Sequence, residues 1–168
     1  FVKAMSCQNM FSGCSNMASA DLAGLSTTGT GSMQGMFSGC SSLDLLDLSG
    51  FDTTSVSSMQ DMFRGCTLLR GVNLADFNTT AVINMANMFY GCHALASVDM
   101  SSFNTSAVLN MAGMFYDCKS LQAVNLSSFN TGYVKDMSNM FWGCAELGAL
   151  DITNFRIGDS TNLTNMFY

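Results

Sequence analysis

Seven cysteines, a single histidine and a spaced row of aspartates are the residues with which this chain could do chemistry. Six of the cysteines, Cys14, Cys40, Cys66, Cys92, Cys118 and Cys144, recur every 26 residues, and Cys7 stands outside the series. Thiolates can hold zinc, attack a substrate or pair as disulfides. Structural zinc sites use closely paired C-x₂₋₄-C spacings, and none occurs here. If 26 residues form one coil, successive cysteines lie about 5 Å apart, the distance between neighbouring strands. That separation permits a disulfide by Cα distance. Ladder neighbours, however, point the same way and not at one another. The cysteines also follow a phenylalanine expected in the core, where a small apolar residue is wanted. They are therefore read as buried free thiols.

Acid–base chemistry finds little support. His93 falls in a column that elsewhere holds Ser, Thr, Lys or Ala, and reads as a solvent-facing residue. Asp47, Asp99 and Asp151 alternate with Asn73 and Asn125 in one column. Like charges directly opposite on adjacent strands repel, and interposed amides relieve this. The row lacks the converging oxygens of a D-x-D-x-D calcium loop. No nucleophile, acid–base pair or metal set emerges. The expectation is a non-enzyme with no catalytic residues, no metal and no cofactor.

The elements that position these residues follow from the repeat. The phrase Met-Phe-x-Gly-Cys occurs at Met10–Cys14, Met36–Cys40, Met62–Cys66, Met88–Cys92 and Met140–Cys144. At Met114–Cys118 it carries Asp117 in place of glycine. The phenylalanines Phe11, Phe37, Phe63, Phe89, Phe115, Phe141 and Phe167 keep a 26-residue step without slip. A fixed period of this length is the signature of a stacked repeat array. Methionines fill two further columns, Met36 to Met166 and Met33 to Met137. They read as core, since flexible thioethers fill irregular gaps. One unit cannot offset its own backbone entropy, so its faces must be covered by neighbouring units.

Within each unit, Leu46-Asp47-Leu48 and its counterparts up to Leu150–Ile152 alternate apolar and polar, the period of a half-buried strand. Val56, Met59, Met62, Phe63 and Cys66 recur at three to four residues, which is helical spacing. Thr54, Thr80 and Ser106 stand where N-caps belong, and Gly65, Gly91 and Gly143 where left-handed C-caps belong. Each unit is thus expected to be one short parallel strand and one short helix or 3₁₀ segment. Thr27, Thr53, Thr79, Thr105 and Thr131 form a column expected to serve turns or caps. The N-x-S/T triplets at Asn78, Asn104, Asn125 and Asn162 follow from the repeat's use of Asn with Thr.

Composition sets further limits. The 168 residues are 48% apolar and only 11% charged, with a net charge of −6. Nucleic-acid binding needs clustered Lys and Arg, but the six basic residues are scattered. No apolar run approaches the length of a membrane span. The chain starts and stops inside repeat units, and residues 1–168 read as one repeat domain of about six units within a longer protein. Unit one departs from the pattern at Met17 and Leu25, and the last unit at Arg156 and Ile157. The stretch Thr28–Gly35 holds three glycines and is expected to be the loosest. Neither end carries a polar capping repeat, so end-to-end self-association through open faces is a further expectation.

The run Leu43 to Thr53, Leu-x-x-Leu-Asp-Leu-Ser-x-Phe-Asp-Thr, followed by Val56, Met59 and Met62-Phe63-Arg64-Gly65-Cys66, resembles the BspA-like leucine-rich repeat. More closely, it is similar to the variant of that repeat found in mycoplasma-type surface lipoproteins and in many gut bacterial surface proteins. The likeness spans essentially the whole chain, with departures in units one and six. It implies an α/β solenoid, a right-handed leucine-rich-repeat-like coil, on a bacterial cell surface. It further implies adhesion to a host or neighbouring-cell protein or glycan. No catalytic residues accompany it.

The most informative variable column follows the anchor phenylalanine: Ser12, Ser38, Arg64, Tyr90, Tyr116, Trp142, Tyr168. On a helix with Val, Met and Phe inward, it points away from the core, next to a column holding Ile83 and Leu109. The expected partner-binding residues are therefore Tyr90, Tyr116, Trp142, Tyr168, Ile83 and Leu109. Exposed aromatic patches often mark contacts. Two alternatives stay open: a ladder that only stabilises the stack, and coverage by other parts of the protein. At the level of function the same division separates an adhesive module from a structural spacer.

Overall fold

The computed structural model describes residues 2–3 and 6–168. Its regular elements are six short strands: β1 (Val2–Lys3), β2 (Leu25–Ser26), β3 (Leu45–Asp47), β4 (Gly71–Asn73), β5 (Ser97–Val98) and β6 (Ala123–Val124). They pair in parallel as β1–β2, β3–β4 and β5–β6. Leu46 lies opposite Val72, and Val98 opposite Val124, so the register equals the 26-residue repeat. A second seam of single parallel bridges runs Ser32–Ser58–Asn84–Asn110–Asp136–Asn162 with the same step. The chain is therefore a stack of coils, each laid on the previous one in register. No strand forms at Leu150–Ile152 among the described residues.

The first coil is the exception. Val2 lies opposite Leu25, a register of 23 residues. By Cys7 the common register has returned, since the Cys7 amide donates to the Ser32 carbonyl as Met33 does to Ser58. Cys7 thus occupies the inner methionine column and is fully buried there. Three residues fewer separate Lys3 from Cys7 than separate Ser26 from Met33. Cys7 stands outside the cysteine series because it fills the place that Met33 holds in the next coil.

The expected helix is absent: no helix occurs among the described residues. The reason lies in the backbone on either side of each anchor phenylalanine. Two residues before it, Asn9, Asp61, Asn87, Asn139 and Asn165 have φ of 53–56°, and Gly35 and Gly113 have φ of 61° and 60°. Two residues after it, the glycines and Asp117 are also left-handed, with φ of 72° at Gly65 and 55° at Asp117. An α-helix needs negative φ throughout. Two positive-φ sites four residues apart, astride each anchor phenylalanine, forbid a helix there.

What replaces the helix is a chain of tight turns. Met62, Arg64 and Cys66 amides bond three residues back, to Met59, Asp61 and Phe63 carbonyls at 3.1–3.2 Å. The intervening amides of Met59, Asp61, Phe63 and Gly65 point to the following coil, reaching Asn84, Ala86, Met88 and Tyr90 carbonyls at 2.7–2.9 Å. On another side of the coil the direction reverses. There Ser57 donates back to Gly31, Ile83 to Ser57 and Leu109 to Ile83, all at 2.9 Å. The three-residue spacing of Val56, Met59 and Met62 is thus a turn period. Thr54, Thr80 and Ser106 cap no helix: their amides bond the side-chain oxygens of Asp52, Asn78 and Asn104 two residues before. The glycine-rich stretch Thr28–Gly35 keeps the register, with Thr30 fully buried in the Val56 column.

The core is columnar. Phe11, Phe37, Phe63, Phe89, Phe115, Phe141 and Phe167 form one continuous stack, with centroids 5.2–5.7 Å apart. Met33 to Met137 and Met36 to Met140 are fully buried beside it.

The threonine column is buried too, at 0–1% exposure. Thr79 Oγ1 donates to the Asn104 carbonyl at 2.9 Å and accepts the Asn104 amide at 2.8 Å. Thr53 and Thr105 treat Asn78 and Asn130 alike. The hydroxyl stands in for a peptide group between coils, which replaces the expected capping role. Thr79→Val keeps the shape but leaves the part-buried Asn104 amide and carbonyl without their partner. With two hydrogen bonds lost at about 0.5–1.5 kcal/mol each, it should lower stability by about 1–3 kcal/mol in urea unfolding. Thr79→Ser should cost clearly less, and equal losses from both would refute the bridging role.

Candidate interaction surface

Each anchor phenylalanine points inward, and the left-handed residues flanking it turn the next side chain out. The Tyr90 carbonyl is pinned by the Gly65 amide at 2.7 Å, and that of Tyr116 by Gly91 at 2.7 Å. Their rings consequently leave successive coils in parallel. Tyr90 and Tyr116 stack at 4.3 Å and 1°, Tyr116 and Trp142 at 4.5 Å and 8°, and Trp142 and Tyr168 at 6.0 Å and 13°. The Arg64 guanidinium closes the other end, 4.7 Å from the Tyr90 centroid, a cation–π distance. Tyr90, Tyr116 and Trp142 are half-buried and Tyr168 is 80% exposed. Desolvation, followed by the neighbouring Tyr90 hydroxyl, raises Tyr116 above the ordinary phenol range.

Ile83 and Leu109 are exposed, at 49% and 46%, on adjacent coils. The stretch between Ile83 and Tyr90 is not helical, so the helix-face argument that joined them to the aromatic column does not hold. They form a separate small apolar pair between Ser57 and Lys135 of the same column.

Beside the aromatic stack lies an ionic cluster that the sequence reading passed over. His93 Nε2 sits 2.9 Å from Asp117 Oδ2, and Lys119 Nζ 3.5 Å from the same oxygen. His93 is therefore a paired, half-buried residue and not a free surface one. The available signal was Asp117 itself, the one acid in a glycine column. The aspartate row also changes: Asp21 continues it, so Asp21 and Asp47 adjoin without an amide between them. Each accepts the amide two residues on, from Ala23 and Ser49. Asn73 Nδ2 also bonds Asp47 Oδ1 at 3.0 Å. These bonds, Ser49 first, hold Asp47 below the usual carboxylate range. Among the described residues no group of three His, Cys, Asp or Glu gathers as a metal set.

The cysteines have a shared partner. Sγ of Cys40, Cys66, Cys92, Cys118 and Cys144 each donates to the carbonyl of Phe11, Phe37, Phe63, Phe89 or Phe115 in the preceding coil, at 3.1 Å. All seven are free thiols, with Cys14 exposed and Cys144 half-buried. Burial pushes the Cys66 thiol up to about 12 and Cys144 to about 11. Burial also raises Cys40, Cys92 and Cys118.

The repeat is matched by a known family model, described as Mycoplasma protein of unknown function, DUF285, over residues 4–98 and again over 67–168. The chain belongs to this family. Two overlapping matches on one chain are what an internally repeated sequence gives, and the coarser part of the resemblance, a mycoplasma-type repeat protein, stands on them. No curated protein and no solved structure matches the chain. In this DUF285 chain no helix of the described residues is long and apolar enough to cross a membrane.

Proposed function

We propose that this chain is a non-enzymatic module of a bacterial cell surface that binds a protein or glycan partner through outward side chains held on a rigid stack of coils. The observation that carries this reading is the outer column Arg64–Tyr90–Tyr116–Trp142–Tyr168. The Phe and Cys columns repeat one residue type and the other core columns stay largely apolar, whereas this one changes from serine through arginine to aromatics along the stack. Tyr, Trp and Arg are the side chains favoured as binding anchors. The Leu-x-x-Leu-Asp-Leu phrase and the short parallel strands support kinship with BspA-like leucine-rich repeats, and through it an adhesive role outside the cell. The ring-on-ring stacking favours a second reading, a spacer whose aromatic ladder only stiffens the coils.

The test is Tyr116→Ser with Trp142→Ser, probed on arrays of purified proteins and of oligosaccharides. Binding weakened about tenfold or more, with cooperative unfolding retained, is expected of a contact surface. Each lost ring pair should also cost about 0.5–1.5 kcal/mol of stability. Reduced stability with no array target bound by either form would favour the spacer.

A further inference from the structure

The aromatic column also carries a chemistry of its own. A phenol can give up one electron and its hydroxyl proton, and two phenoxyl radicals join through the ring carbons beside their oxygens. That bond forms readily only between tyrosine rings that face one another with their hydroxyls at the same end.

Of the four tyrosines in the chain, Tyr90 and Tyr116 meet these conditions. Their centroids are 4.3 Å apart and their planes 1° from parallel. The Gly65 and Gly91 amides pin the Tyr90 and Tyr116 carbonyls alike, so both side chains leave their coils in one direction. The hydroxyls lie side by side: after desolvation, the Tyr90 phenol is the main influence raising Tyr116 above the ordinary phenol range. The ring carbons beside the hydroxyls therefore face one another across the stack. Tyr168 instead faces Trp142, at 6.0 Å. Tyr133 is 66% exposed, and no ring of the described residues stacks on it.

The outer faces of the pair are covered. The Arg64 guanidinium lies 4.7 Å from the Tyr90 centroid, and the Trp142 ring 4.5 Å from that of Tyr116. A radical on either phenol thus meets the other ring before it meets a second molecule. Holding two reactants in this way turns a bimolecular step into an intramolecular one.

Independently of any binding partner, we propose that Tyr90 and Tyr116 are an oxidative modification site, joined as dityrosine by a haem peroxidase with hydrogen peroxide, which staples two successive coils. Each phenol loses one electron and its hydroxyl proton. The two radicals then form one carbon–carbon bond, and each bonded carbon passes its hydrogen to the oxygen, restoring both phenols. One peroxide takes up the two electrons and two protons and leaves as two waters. The new bond closes a loop of 26 residues and restricts the unfolded chain as a disulfide would. It would be the first covalent tie between coils in a chain whose seven cysteines are all free.

The test is treatment of dilute Cys14→Ser protein, which lacks the exposed thiol that would consume oxidant, with a haem peroxidase and limiting hydrogen peroxide. Dityrosine fluorescence, denaturing gels and peptide mapping give the readout. The expected product is a monomer in which the peptides of Tyr90 and Tyr116 are joined, with a urea midpoint above that of the untreated protein. Tyr90→Phe or Tyr116→Phe keeps a stacked ring but removes one radical, and should lower the dityrosine yield of the monomer about tenfold or more. Tyr133→Phe should leave that yield unchanged. Absence of dityrosine, cross-links found only between molecules, or a monomer yield indifferent to Tyr90→Phe and Tyr116→Phe would overturn the site. A mapped Tyr90–Tyr116 bond with no rise in the midpoint would overturn the stapling role.

Discussion

Raising the pH above about 9 should unfold this protein steeply, because its buried thiols must stay protonated to stay folded. A thiol in the unfolded chain ionises near 9.0, whereas Cys66 in the folded chain holds its proton to about 12. Below pH 9 both states keep the proton and the stability is intact. Between 9 and 12 the unfolded state releases it first, and stability falls by about 1.4 kcal/mol per pH unit for each such group. Over three units Cys66 alone accounts for about 4 kcal/mol. Cys92 and Cys118 shift in the same direction through burial. The measurement is the urea midpoint by circular dichroism at about pH 8 and about pH 10.5. Replacing Cys66, Cys92 and Cys118 by Ala should flatten the difference between the two midpoints, even though it weakens the fold at both. An equally steep fall in the alanine variant would show that other groups carry the alkaline transition.

Phe89→Ala should be among the most damaging single substitutions. Phe89 is fully buried, with Phe63 at 5.2 Å on one side and Phe115 at 5.6 Å on the other. Truncating a buried phenylalanine costs about 3–5 kcal/mol. Position adds a second effect, because a stack of coils is held by nearest-neighbour interfaces. A weak interface in the middle should uncouple the two halves, so that urea unfolding broadens or splits into two steps. Phe11→Ala offers the comparison: Phe11 is only half-buried and stacks on one neighbour alone. It should cost clearly less and leave the transition single. A smaller loss at Phe89 than at Phe11 would contradict the columnar core.

How much of this could be read beforehand divides along a physical line. Periodicity reports burial, and burial was legible: the Phe, Met, Leu and Cys columns lie in the core wherever two neighbouring coils cover them. The parallel strand at Leu46 and its 26-residue register follow from alternation and repeat length. Apolar spacing alone does not report the backbone that connects buried residues. Three-residue steps satisfy a chain of turns as well as a helix, and here the turns prevail. The deciding residues were present in the sequence, as Asn, Asp or Gly two before each phenylalanine and Gly or Asp two after. Those types tolerate positive φ, and a pair of them four residues apart around the phenylalanine of each unit marks a segment that cannot be helical. The threonines show the same limit: a buried hydroxyl bridging coils and a capping hydroxyl have the same sequence signature. In the outer column, residue type and outward direction were legible. That the rings consume one another's faces was not, since it depends on the spacing and tilt of neighbouring coils.

The opposed directions of the inter-coil hydrogen bonds have an electrical consequence. In an α-helix every peptide dipole points the same way and the ends gather about half a charge each. In this stack the amides around Phe63 point towards the next coil, while those of Ser57, Ile83 and Leu109 point back. Their dipoles oppose one another within every coil. Adding coils therefore builds up less axial field than the same number of peptides aligned in a helix would.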